Sequence, residues 1–136
     1  MNSSKRILIV DDEHDVCVYL SRLFSENGYA VESAADGNEA ATAVARAKPD
    51  LITLDLSMPN KSGVRFYREM KSDASLSAIP IVLVTGVTGL GGSAKDTERF
   101  YQTRRNVPPP DGFVAKPVDP EEILELVKKL IGAQAQ

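Results

Sequence analysis

Acidic side chains follow two short apolar runs, at positions where they could bind a metal ion or a phosphoryl group. Asp11 and Asp12 come directly after ILIV, and Asp55 comes directly after LITL. Thr85 and Lys116 close two further apolar runs, IVLV and FVA. In an open parallel sheet the carboxyl ends of the strands line one crevice, so residues far apart in sequence can meet there. Carboxylates, a hydroxyl and an amine that meet in one crevice describe a site for phosphoryl transfer.

The three carboxylates predict a site for a divalent cation. Held about 4 to 6 Å apart, two carboxylates repel by about 3 kcal/mol at an effective dielectric constant near 20. Carboxylates, carbonyls and water are the ligands that suit Mg²⁺. We therefore expect Asp11 and Asp12 to hold Mg²⁺. We expect Lys116 to add positive charge without occupying a ligand position of the metal.

The third carboxylate is the candidate nucleophile. Asp55 can accept a phosphoryl group, because an aspartate forms a mixed anhydride with phosphate. Thr85, which is followed by the small Gly86, can donate a hydrogen bond to a phosphoryl oxygen without crowding it. The two residues are therefore predicted to act on the same phosphoryl group.

Apolar runs alternate with helical patterns along the chain. The Val, Ile and Leu content of the runs suits strands that are covered on both faces. Helices are predicted over 15–27, after the N-cap candidate Asp36, and after the N-cap candidate Asp119. The alternation predicts an α/β fold with a doubly wound, five-stranded parallel sheet and helices on both faces. The predicted strands are 6–10, 30–34, 51–54, 81–84 and 113–115.

Composition limits the class of protein. The chain has 136 residues, of which 43% are hydrophobic and 26% charged, so we expect one domain over 1–136. A net charge of -3 argues against direct binding of nucleic acid. Cys17 is the only cysteine, which excludes an intrachain disulfide. The sequence has neither a signal-peptide pattern nor an apolar run of membrane-spanning length, so we expect a cytoplasmic protein with no membrane partner.

Four motifs in order resemble those of a response-regulator receiver domain. They are DD after the first strand, LDLSMPNKSG around Asp55, VTG after the fourth strand and KP after the fifth. The match spans about 5–131. The resemblance implies the flavodoxin-like strand order 2-1-3-4-5. It also implies that a sensor histidine kinase or a histidine phosphotransfer protein phosphorylates Asp55 in a two-component phosphorelay. Such a domain is not an enzyme beyond its own phosphorylation and dephosphorylation.

The resemblance also implies a ligand set for the metal. Mg²⁺ would be bound by Asp12, Asp55 and the backbone carbonyl of Ser57, while Asp11 would act mostly through water. The chain would then be a single-domain regulator, either a monomer or a homodimer that forms on phosphorylation, with an unknown downstream protein as its partner.

A switch is implied as well, at Thr85 and Phe113, which would move together on phosphorylation. Phe113 lacks the hydroxyl of a tyrosine, so the switch would rely on apolar packing. The segment between Thr85 and Lys116 is longer than is usual in the family and is rich in glycine and proline. We expect an irregular, extended segment over about 86–112, with a mobile Gly-rich loop and a shortened helix near 95–103.

Two other functions stay open. A magnesium phosphatase of the haloacid dehalogenase type also uses an aspartate after a strand, but its motif has a second aspartate two positions later, where this chain has Ser57. A receiver-like scaffold could bind partners without being phosphorylated. The presence of all five chemical positions argues against this alternative, and the unusual segment after Thr85 keeps it open. Each candidate residue also has a structural interpretation: a helix start for Asp11 and Asp12, a turn for Asp55, a strand end for Thr85, a solvated loop for Lys116 and core packing for Phe113.

Overall fold

Strands and helices alternate in the computed structural model, which describes residues 4–55, 62–86 and 109–132. The strands are β1 (Arg6–Val10), β2 (Ala30–Ala34), β3 (Leu51–Leu54), β4 (Ile81–Gly86) and β5 (Gly112–Lys116). The helices within these ranges are α1 (His14–Glu26), α2 (Gly37–Arg46), α3 (Ser62–Ser72) and α4 (Pro120–Ile131).

The five strands form one parallel sheet in the order β2-β1-β3-β4-β5. The strand order that the resemblance implied is therefore confirmed. In the register, Ile7 lies beside Val31 on one side and beside Leu51 on the other. Both ladders continue past the end of β1, because the Asp11 amide donates to the Ala34 carbonyl at 3.0 Å and the Asp55 amide donates to the Val10 carbonyl at 2.9 Å.

The sheet separates two apolar layers, which confirms the prediction of helices on both faces. Residues of β1 alternate between the layers, as the period of a strand requires. Leu8 and Val10 pack in the layer that contains Phe66 and Met70 of α3, together with residues of α2. The other layer is built around α1 and α4, and its buried residues include Ile7, Ile9, Leu20, Phe24, Ile123 and Val127.

Capping residues begin two of the helices as predicted. The Asp36 carboxylate accepts a hydrogen bond from the Glu39 amide at 2.8 Å at the start of α2. The Asp119 carboxylate accepts one from the Glu121 amide at 2.9 Å at the start of α4. Each such cap stabilises a helix by about 1 kcal/mol, because it pairs an amide that the first turn leaves without a partner.

The structure differs from the sequence prediction in several places. Helix α3 was not predicted, although Phe66, Tyr67 and Met70 on its buried side have helical spacing. Strands β4 and β5 are longer than expected, so Thr85 lies within β4. Most of the irregular segment predicted over 86–112, including the helix near 95–103, lies outside the described residues.

Candidate metal centre at the carboxyl edge of the sheet

Three carboxylates converge where β1 and β3 end. Asp11, Asp12 and Asp55 each offer one oxygen, and these oxygens lie within 4.8 Å of one another. The strands β1 and β3 are neighbours in the sheet, so the residues that follow them must lie side by side. The structure thus brings together the three acids that the sequence singled out as metal ligands.

The three acids differ in their exposure. Asp11 and Asp55 are 2% and 1% exposed, whereas Asp12 is exposed to solvent. Burial raises the pKa of the Asp11 carboxyl, against the effects of hydrogen bonds from the Glu13 amide and from Lys116. The Glu13 amide donates to Oδ1 of Asp11 at 2.9 Å, and Lys116 lies 2.9 Å from Oδ2. Both oxygens of Asp11 are therefore already engaged, while Asp12 faces the solvent.

Lys116 ends β5 and reaches across the end of β4 to these acids. Its Nζ lies 2.8 Å from Oε1 of Glu13, 2.9 Å from Oδ2 of Asp11 and 3.3 Å from Oδ2 of Asp55. Burial alone would lower the pKa of the Lys116 ammonium, but the hydrogen bonds to Glu13 and Asp11 and the charge of Asp55 raise it above its ordinary value. The ammonium is therefore fully charged at neutral pH.

The site holds more negative charge than positive charge. Four acids, Asp11, Asp12, Glu13 and Asp55, surround the single ammonium of Lys116 in the described part of the chain. A bound cation would relieve the remaining repulsion, and carboxylate oxygens of this kind suit a hard ion such as Mg²⁺. The donor set thus fits the predicted metal.

Sequence reasoning missed Glu13. This residue directly follows the Asp doublet, and its position next to two acids was the signal that could have identified it. Its carboxylate is 59% exposed and makes the shortest contact to Lys116.

Three other predicted residues have different outcomes. Ser57 lies outside the described residues. Thr85 pairs with Ala115 through its backbone, but its side chain lies outside the described part of the structure. Phe113 is half-buried and packs against the layer formed by α2 and α3, as its structural interpretation required. The predicted switch at Thr85 and Phe113 stays a prediction.

Comparison with known proteins places this arrangement in a family. The family description "Response regulator receiver domain" matches residues 7–128 of the chain. The chain belongs to the response regulator receiver family. Receiver domains are phosphoacceptor signalling domains of two-component systems rather than ordinary enzymes. They generally bind Mg²⁺ at an acidic cluster, and they interact with histidine kinases or phosphotransfer proteins.

Similar proteins include both short and long chains. This receiver is 34% identical to protein Rrf1 of Nitratidesulfovibrio vulgaris, over 96% of this chain and 86% of that protein. It is 29% identical to protein PilH of Pseudomonas aeruginosa, over 93% of this chain and 97% of that protein. The chain spans about half the length of several other curated relatives that it matches.

A solved structure shows the same fold. The receiver domain of a signal transduction histidine kinase from Syntrophus aciditrophicus superimposes with a TM-score of 0.79 at 29% identity, over 94% of this chain and 90% of that one. Within the residues described for this receiver, no helix is both long and apolar enough to cross a membrane.

Proposed function

We propose that this receiver domain accepts a phosphoryl group on Asp55 from the phosphohistidine of a sensor histidine kinase or a histidine phosphotransfer protein. The observation that carries the proposal is the position of the Asp55 carboxylate, which lies within 4.8 Å of two further acids and 3.3 Å from the Lys116 ammonium. A buried carboxylate that lies close both to a cation and to candidate metal ligands is suited to attack a phosphorus atom.

The proposed transfer is a single displacement. A carboxylate oxygen of Asp55 forms a bond to phosphorus while the bond from phosphorus to the imidazole nitrogen breaks. The imidazole leaves with the electron pair of that bond, and the product is an acyl phosphate. Water later attacks the phosphorus, which releases inorganic phosphate and restores the carboxylate. This hydrolysis is the only turnover that we propose for the chain.

The neighbouring residues have distinct proposed roles. Asp12 and Asp55 hold Mg²⁺ with the backbone carbonyl of Ser57, and Asp11 contributes mainly through water. Bound Mg²⁺ supplies positive charge that offsets the negative phosphoryl oxygens. Lys116 would pair with a phosphoryl oxygen. Since it already contacts Asp55, a short movement of its ammonium suffices.

The proposed output is a change in the surface that a downstream protein binds. Phosphorylation adds about 1.5 to 2 negative charges and three acceptor oxygens. Thr85 would donate a hydrogen bond to one of them, and Phe113 would repack in response. The register supports this coupling, because Phe113 of β5 pairs with Leu83 of β4. Thr85 lies two residues after Leu83 on β4. The receiver is proposed to carry this function by itself, with partner binding as its output.

Intact-mass measurement after incubation with acetyl phosphate tests the phosphoacceptor. We expect a phosphoryl adduct that requires Mg²⁺ and that disappears in Asp55→Asn. Asp36→Asn is a matched control, because it removes one carboxylate from a helix N-cap where asparagine caps equally well. That variant should be phosphorylated like the wild type.

Two outcomes would contradict the proposal. The first is an adduct of equal yield in Asp55→Asn. The second is a folded wild-type protein that takes up no phosphoryl group from acetyl phosphate or from a phosphorylated histidine domain. Partner binding that is the same for wild type and Asp55→Asn, with and without phosphodonor, would favour a scaffold that works without phosphorylation.

A further inference from the structure

The side chain of Glu13 occupies a position that the proposed reaction does not explain. Glu13 lies at the N-cap of α1, but its carboxylate makes no hydrogen bond to the amides of that helix. The carboxylate instead lies 2.8 Å from Nζ of Lys116, a residue 103 positions away. An N-cap side chain that binds its own helix contributes about 0.5 to 2 kcal/mol, and α1 forgoes that contribution.

Lys116 has no donor to spare in this arrangement. A lysine ammonium carries three N–H donors. Three carboxylates, those of Asp11, Glu13 and Asp55, lie within 3.3 Å of Nζ. A phosphoryl oxygen on Asp55 can therefore receive a hydrogen bond from Lys116 only if one of these contacts is given up.

The three carboxylates are not equally easy to displace. The side chain of Asp11 is 2% exposed, so it would lose its cation without gaining water. Asp55 must stay beside Lys116, because it carries the phosphoryl group that the ammonium is to bind. The side chain of Glu13 is 59% exposed and can be solvated as soon as it leaves Lys116. Losing a partner costs a solvated carboxylate far less than a buried one.

We infer that Glu13 is a positioning residue that acts through Lys116: it holds the third donor of the ammonium in the unphosphorylated protein and yields it to a phosphoryl oxygen. This inference rests on the proposed function. Glu13 then favours the unphosphorylated state, because its carboxylate competes with the phosphoryl oxygens for the Lys116 ammonium. Its removal should help the phosphoryl group to bind while affecting its loss much less, since Glu13 no longer contacts Lys116 once the phosphoryl group is present.

The test uses the full chain with saturating Mg²⁺ and beryllium fluoride, which mimics a phosphoryl group on aspartate. Calorimetric titration should show Glu13→Gln and Glu13→Ala binding beryllium fluoride about two- to fivefold more tightly than wild type, the range expected for an ion pair with one exposed partner. The rate of phosphorylation by acetyl phosphate should rise by a similar factor. The rate of hydrolysis should stay within about 1.5-fold of the wild-type rate.

Asp15→Asn is the matched control. Asp15 is an exposed acid in the first turn of the same helix, so its loss removes the same charge from the same helix end without touching the contact to Lys116. Any effect of net charge on Mg²⁺ or on the incoming anion should appear equally in both variants. The difference in beryllium fluoride affinity between Glu13→Gln and Asp15→Asn therefore measures the contribution of the contact between Glu13 and Lys116.

The possible failures can be told apart. If Glu13→Gln binds beryllium fluoride no more tightly than Asp15→Asn, or if it accelerates hydrolysis as much as phosphorylation, the role of Glu13 is contradicted while the phosphoacceptor stands. A wild-type protein that neither binds beryllium fluoride nor forms the Asp55 adduct overturns both proposals.

Discussion

Partly buried lysines pair with aspartates at both edges of the sheet, and the two pairs differ in their balance of charge. At the carboxyl edge, Lys116 is 14% exposed and contacts three carboxylates. At the amino edge, Lys71 of α3 is 6% exposed, and its Nζ lies 3.2 Å from Oδ2 of Asp111. Among the described residues, Lys116 forms ion pairs with three acids, whereas Lys71 forms one with Asp111.

The amino edge uses its pair to join elements. Oδ2 of Asp111 also accepts a hydrogen bond from the Ile81 amide at 2.8 Å, and the Asp111 amide donates to the Ile81 carbonyl at 2.9 Å. The pair thus connects the end of α3 to the start of β4 and to the residue before β5. Within the described part of the chain, its charges are matched one to one.

The difference shows how one fold can use the same residue types for stability and for reactivity. A matched pair stabilises the fold and responds little to ligands. An excess of carboxylates around one ammonium stores repulsion, and a bound cation relieves it. Five substitutions test this contrast, beginning with the largest expected effect.

Removing the cation of the carboxyl edge should be the most costly change. In Lys116→Met the buried carboxylates of Asp11 and Asp55 lose their ammonium, so the free energy of unfolding without metal should fall by about 2 to 4 kcal/mol at pH 7. Mg²⁺ should restore part of this loss. Urea unfolding with EDTA and with Mg²⁺ measures both quantities, and a loss below about 1 kcal/mol would show that the acids tolerate their mutual repulsion.

Removing the cation of the amino edge should cost less and should not depend on metal. Lys71→Met keeps the aliphatic stem but leaves Asp111 without its partner, so we expect a loss of about 1 to 3 kcal/mol. The increment in stability produced by Mg²⁺ should equal that of the wild type in the same urea experiment. A larger increment in this variant would mean that the two edges are coupled.

Removing one acid should have opposite effects at the two edges. Asp12→Asn relieves repulsion and should raise the free energy of unfolding of the metal-free protein by about 0.5 to 1 kcal/mol. Asp111→Asn, the matched change at the amino edge, should lower it by about 1 kcal/mol because a charged partner of Lys71 is lost. Thermal unfolding in EDTA shows whether each substitution raises or lowers the stability. Two changes in the same direction would contradict the difference in charge balance between the two edges.

The smallest effect concerns pH at the amino edge. Burial and the nearby charge of Asp111 raise the pKa of the Tyr67 hydroxyl above its ordinary value of about 10. Above that pH the unfolded chain loses a proton that the folded protein keeps, so this contribution to stability is complete below about pH 10 and declines as pH rises. Tyr67→Phe should therefore lose stability less steeply than wild type above pH 10.

The fold and the three acids of the site could be predicted because their signals are local. Four of the five apolar runs are followed directly by a charged or polar residue, and parallel strands bring their carboxyl ends to one edge. That rule predicts that Asp11, Asp12 and Asp55 lie close together. The strand order came from the family resemblance, since hydrophobic patterning does not specify which strands are neighbours.

The ion pairs of Lys116 with Glu13 and of Lys71 with Asp111 could not be predicted from the sequence. Lys116 and Glu13 are 103 positions apart, and Lys71 and Asp111 are 40 apart. Such contacts depend on the conformations that long side chains adopt once the sheet has formed. The roles of Ser57, Thr85 and Phe113 remain predictions that rest on the resemblance.

The division of the core by the sheet has a consequence for engineering. Mutations whose residues are far apart and share no neighbour change stability additively. Leu20 of α1 and Met70 of α3 belong to different layers, so truncating both should cost the sum of the single losses. If the two losses did not add, the coupling between the sites would have to be transmitted through the backbone of strands such as β1, whose side chains enter both layers. Each face can therefore be redesigned separately, provided that the central strands are left unchanged.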